Sequence, residues 1–197
     1  MIGLIFLIVL GGHFLLSIWV INVAVKQARK GSKPGWHYGV PAGIVMFSLL
    51  YWDLIPTHAV HRYYCLVDSG FTVNKTFEEW SRENPGVVET LISNKANKRE
   101  VEGNRTRYTL NQRFAWDIFK THHALGVRKT DERIVDVANG EVLARYVDFD
   151  TDIRRLTREP RNFRDLKLWL AVGSCEMNVG SRISFAEYQN EIENIGR

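Results

Sequence analysis

The stretch from Ile2 to Val25, IGLIFLIVLGGHFLLSIWVINVAV, runs for 24 residues without an Asp, Glu, Lys or Arg. At about 1.5 Å per residue, a helix of that length crosses the roughly 30 Å of hydrocarbon in a bilayer. A cleaved secretory signal needs a basic start, a shorter apolar core and a small-x-small exit, none of which is present. The basic residues follow the segment instead, so it reads as an uncleaved membrane anchor. A second apolar run, Tyr38 to Ile55, carries one charge, Asp53, beside Tyr51 and Trp52, an aromatic pair suited to headgroup depth.

Between the two runs lies KQARKGSKPGW, whose charges are Lys26, Arg29, Lys30 and Lys33. Short loops rich in Lys and Arg stay on the cytoplasmic side of a membrane. The expected fold class is therefore an α+β membrane protein. A transmembrane helical hairpin occupies 1–56, with spans over about 2–25 and 38–55 and a basic cytoplasmic loop over 26–37. An extramembrane domain follows over 57–197, built from an antiparallel β-meander and short helices. In a bacterium this places a multi-pass chain in the inner membrane with its N-terminus and C-terminal domain in the periplasm.

Charge restricts the partners. The chain has 26 Lys and Arg against 22 Asp and Glu, a formal net charge of +4, and the four loop cations account for that whole excess. All acidic residues lie beyond residue 37, so the outer part is close to neutral, which argues against nucleic acid and for a lipid bilayer as the basic loop's partner. The arginines at 154, 155, 158, 161 and 164 have acidic neighbours interleaved with them.

Both cysteines, Cys65 and Cys175, fall in the outer part. An even count in an oxidising compartment reads as a disulfide. Closing a loop of about 110 residues is worth on the order of 4 to 5 kcal/mol in the chain-entropy model.

Within 57–197, THAVHRYYCLVDSG suits a helix stopped by Gly70, and Thr76 with Glu79 matches a capping box that opens a helix over about Phe77 to Arg82. Lys95 to Asn104 reads as an exposed loop, and Phe114 to Phe119 alternates like a strand. RIVDVANGEVLARYVDF places Asn139 and Gly140 between β-branched runs, which predicts a two-residue type I′ hairpin. Counting outward pairs Val137 with Val142, Val135 with Ala144 and Arg133 with Tyr146, facing inward, with Ile134, Asp136 and Arg145 on the other face. Ser184 with Glu187 suggests a second capping box before an amphipathic helix through Phe185, Tyr188 and Ile192. NFRDLKLWLAVGSC fits helix and strand equally.

No catalytic signature stands out. His58 and His61 lie three apart, spacing at which imidazoles on a helix can share a zinc ion, but no HExxH frame surrounds them. Asp148, Asp150, Asp152 and Glu159 fall at positions 1, 3, 5 and 12 of a calcium loop. Position 6, which demands glycine, is Ile153, and arginines follow it, so a carboxylate–arginine network at a strand end is the better reading. Ser174 and Cys175 lack a nucleophile frame. Gly11, Gly12 and His13 interrupt the large aliphatics of the first span and suggest a helix contact, small residues permitting close approach and a polar group seeking a partner in lipid.

These features describe an accessory or interaction subunit of a bacterial inner-membrane or envelope complex. It binds a membrane or periplasmic protein through its spans and outer domain and needs no cofactor, with Trp80, Trp116 and Trp169 as candidate anchors. The alternative is a membrane-tethered periplasmic enzyme or metal-binding protein that uses His58 and His61 or the acidic cluster.

Overall fold

The computed structural model describes residues 2–92, 98–153, 163–175 and 178–195. The chain forms two compact units, one of Met1–Pro56 with Ile153–Ala171, the other of Thr57–Asp152 with Val172–Arg197. Glu159 and the arginines at 154, 155, 158 and 161 lie outside the described residues.

In the first unit, α1 (Ile2–Lys30) is long and apolar enough to cross a membrane. The second run departs from expectation. Its helix α2 is Trp36–Tyr51, 16 residues and thus about 24 Å long, short of a full span by itself. The chain breaks after Tyr51, restarts as α3 (Leu54–Val67), and only the two pieces together, bent by 57°, reach the length and apolarity of a span. Asp53 sits at the break, and Pro56 falls in the first turn of α3, where a missing N–H costs nothing. A straight second span over 38–55 is thus not what the chain forms.

Helices α1 and α2 touch along a strip of small residues that begins at the N-cap of α2. A Cβ added at Gly35 or Gly39 would stand 2.9 or 2.8 Å from a Val25 methyl, and one at Gly43 would stand 3.6 Å from Ile21. His13 Nε2 lies 3.1 Å from the Met46 carbonyl oxygen. The ambiguous segment after residue 162 resolves into two 3₁₀ turns, Phe163–Leu166 and Leu168–Leu170. There Lys167 Nζ donates to the buried Asp53 at 2.6 Å, and the Trp169 ring lies 4.7 Å from Tyr51 and 6.4 Å from Phe6.

In the second unit, six described strands make one antiparallel sheet in the order β1-β6-β5-β4-β3-β2. They are β1 (Gly70–Val73), β2 (Arg99–Glu102), β3 (Arg105–Thr109), β4 (Phe114–His122), β5 (Arg128–Asp136) and β6 (Val142–Asp150). The stretch read as a polar loop supplies β2, whose residues are all exposed: an edge strand needs no buried face, so its sequence lacks the alternating apolar signal. One sheet face carries Phe71, Phe114, Trp116, Ile134 and Tyr146 beneath Trp80 of α4 (Phe77–Glu83) and Phe185, Tyr188 and Ile192 of α5 (Val179–Glu193). On the other face, Val147 and Phe149 pack with Val127 and Cys175 against Val60, Tyr64 and Cys65.

Thr76 caps α4 with the reciprocal Glu79 contact that the sequence predicts. The second capping box does not form, because α5 begins at Val179 and leaves Ser184 inside the helix; its buried face is the expected one.

The β5–β6 hairpin exists, but its register and faces differ from the sequence reading. Arg133 pairs with Arg145 and Glu132 with Tyr146, with an irregularity between Ile134 and Val135. Ile134, expected outward, is fully buried in the core. The cause is Asp136, whose buried carboxylate accepts from Trp80 Nε1 at 2.9 Å and Ala138 N at 3.0 Å and pairs with Arg113 Nε at 2.7 Å. It holds a longer loop in which Gly140 N donates to the Asp136 carbonyl at 2.8 Å, and Gly140, but not Asn139, takes a positive φ of 76°. A type I′ turn needs positive φ at both central positions.

Candidate functional site

The helical spacing of α3 puts His58, His61 and Cys65 on one stripe, at i, i+3 and i+7. The stripe faces the end of β6 and the segment 172–175, where Cys65 and Cys175 form a disulfide pair with Cα atoms 5.6 Å apart. A groove of about 470 Å³ opens over the bridge, lined by His58, His61, Arg62, Leu66, Gly173 and Ser174. His61 is buried, with Nε2 3.0 Å from the Phe149 carbonyl oxygen and 3.5 Å from Cys65 Sγ. His123 packs elsewhere on α3, its ring 4.8 Å from Tyr64.

A second groove, about 450 Å³, lies between β5, β6 and the start of α5, with Glu132, Tyr146, Asp148, Asp150, Ser174 and Arg182 in its wall. Alternation along β6 sends Asp148 and Asp150 to the same side, which is why a spacing of two recurs there. Asp148 Oδ1 accepts from its neighbour Phe149 N at 2.9 Å and from Cys175 N at 3.0 Å. Arg128 forks onto both Asp150, at 2.7 Å, and Asp152. The aspartates at calcium-loop spacing therefore lie along a strand and its exit, Asp150 and Asp152 paired with one arginine and Asp148 with backbone N–H groups. Burial, with Asp148 nearby, pushes the Tyr146 phenol up to about 12. Glu132 accepts from Trp116 Nε1 at 3.0 Å and pairs with Arg182 at 2.6 Å.

On the opposite sheet face, Arg107 holds Asp117 through two bonds of 2.6 Å, and Arg133 and Arg145 both grip Asp131. Burial by itself would raise the Asp131 carboxyl, but the two guanidinium groups outweigh it and hold it down at about 2. No family model, curated protein or solved structure matches this chain.

Of the helix-contact residues, His13 meets α2, whereas a Cβ at Gly11 or Gly12 would have nothing within 4 Å. The close approach uses Gly35, Gly39 and Gly43. Their spacing of four is a small-x-x-x-small repeat visible in the sequence, beginning at the end of the basic loop. Lys26, Arg29, Lys30 and Lys33 are exposed. Trp80 is a core residue bonded to Asp136, and Trp116 and Trp169 are partly buried.

Proposed function

We propose that the chain is a membrane-anchored accessory subunit of a bacterial inner-membrane or envelope complex. Its basic loop faces the cytoplasm, and its disulfide-bearing sheet domain meets a protein partner in the periplasm. The observation that carries this reading is the broad apolar surface that α1 leaves uncovered. Leu7, Ile8 and Val9 point roughly 100° apart around a helix, and they are 65%, 65% and 52% exposed. Such a surface needs lipid or another protein's helices around it.

Support for a contact role comes from the groups that chemistry would require. Asp148, Asp150, Asp152 and His61 are engaged by backbone or by Arg128, and Cys65 is bridged to Cys175. By contrast, the half-exposed Arg133 and Arg145, fixed on Asp131, present a rigid polar surface of the kind that gives orientation at an interface. Aromatic residues stand at both ends of α2, Trp36 and Tyr38 at one and Tyr51 and Trp52 at the other. They suit a short second span with interfacial anchors.

The test is native mass spectrometry after extraction into several mild detergents. A stoichiometric partner protein retained in all of them is the expected result. A chain that emerges alone from every one, or loss of its cellular phenotype on changing His58 and Asp150 to alanine with assembly intact, contradicts the proposal.

A further inference from the structure

The group His61, Cys65 and Cys175 combines geometry and chemistry that the disulfide alone does not require. Their ligand atoms all lie within 4.8 Å of one another. His61 Nε2 and Nδ1 stand 3.5 and 3.8 Å from Cys65 Sγ. A tetrahedral zinc ion with Zn–S of about 2.3 Å and Zn–N of about 2.0 Å holds its nitrogen and sulfur ligands roughly 3.5 Å apart. His61 and Cys65 lie four residues apart on α3, so the helix itself fixes that edge. His61 Nε2 meets the Phe149 carbonyl at 3.0 Å, the outer bond that orients a metal-ligating imidazole, and this leaves Nδ1, 3.8 Å from Cys65 Sγ, for the ion. Cys175 is tied by its own N–H to Asp148, and the groove over the bridge gives a path from solvent and room for a fourth ligand.

We propose that with the bridge open these three residues form a Cys₂His site for a divalent cation of the zinc class, and that closing the bridge expels the ion. The inference goes beyond the accessory reading and holds for either orientation in the membrane. Closure balances as thiol–disulfide exchange with an incoming disulfide. The Cys65–Cys175 bond forms and the incoming bond breaks. The two electrons pass to the incoming sulfurs, which take up two protons and leave as thiols. The metal–sulfur bonds break and the cation returns to water.

The full chain in detergent, reduced and freed of reductant under anaerobic conditions, is titrated with Co²⁺, with helix and sheet content followed by circular dichroism. One equivalent giving tetrahedral d–d bands and a thiolate-to-cobalt band, displaced by Zn²⁺, is expected, with no binding by the oxidised chain. His61→Ala should weaken binding roughly tenfold or more. In the unaltered reduced chain Zn²⁺ should slow alkylation of both cysteines. A folded reduced chain without the thiolate band, His61→Ala binding as tightly as the parent, or a reduced chain that loses its fold each overturns the site.

Discussion

Asp131 ties sequence to stability through the two arginines that hold it. It is 5% exposed, lies between Arg133 and Arg145, and has a carboxyl held near 2 against an ordinary 3.8. A carboxylate depressed in the folded state stabilises the protein above its unfolded pKa and loses that contribution as pH falls through the folded one. Acid unfolding should therefore steepen between about pH 4 and pH 2, by on the order of 1 to 2 kcal/mol from this group. Asp131→Asn should cost about 2 kcal/mol in denaturant unfolding at neutral pH and flatten that acid limb, because it leaves two guanidinium groups facing a neutral amide. An unchanged acid limb in the variant would count against the ion triad. At this scale the sequence was legible only in part. The spacing of Asp148, Asp150 and Asp152 was visible, but Arg128, which neutralises two of them, sits in another strand, and only the sheet register brings it there.

At the scale of elements, local signals that satisfy their own backbone groups were readable and those settled by tertiary contact were not. Thr76 and Glu79 close a cap within four residues, so α4 was visible. The hairpin turn departs from its local signal because a buried aspartate, bonded to Trp80 more than fifty positions earlier, outweighs the Asn-Gly preference for a tighter turn. The packing of α1 on α2 yields a direct prediction. Gly39→Leu forces a side chain into the space of a stiff, β-branched Val25, so it should lower the thermal midpoint of the detergent-solubilised protein, as overpacking typically costs about 1 to 3 kcal/mol. Gly12→Ala, at a position with open space, should leave the midpoint unchanged or raise it slightly. Equal effects of the two would mean that the Gly35, Gly39 and Gly43 strip is not the contact.

For the whole molecule, the bridge between Cys65 and Cys175 ties the helix before β1 to the segment before α5 and so encloses the entire sheet. Cys175→Ser should lower resistance to denaturant by up to about 4 kcal/mol, with the largest loss expected if the unfolded chain is little structured. Comparable unfolding of the oxidised parent and the variant would show that the bridge adds no constraint. The proposed function requires that four cations, Lys26, Arg29, Lys30 and Lys33, hold one loop in the cytoplasm and send the sheet domain to the oxidising side. Membrane-impermeant maleimide labelling of Ser32→Cys in the loop and Ser184→Cys on exposed α5, in intact spheroplasts, tests it most directly. Labelling at 184 without permeabilisation, with 32 reached only after it, is the predicted result, and the reverse pattern contradicts the account.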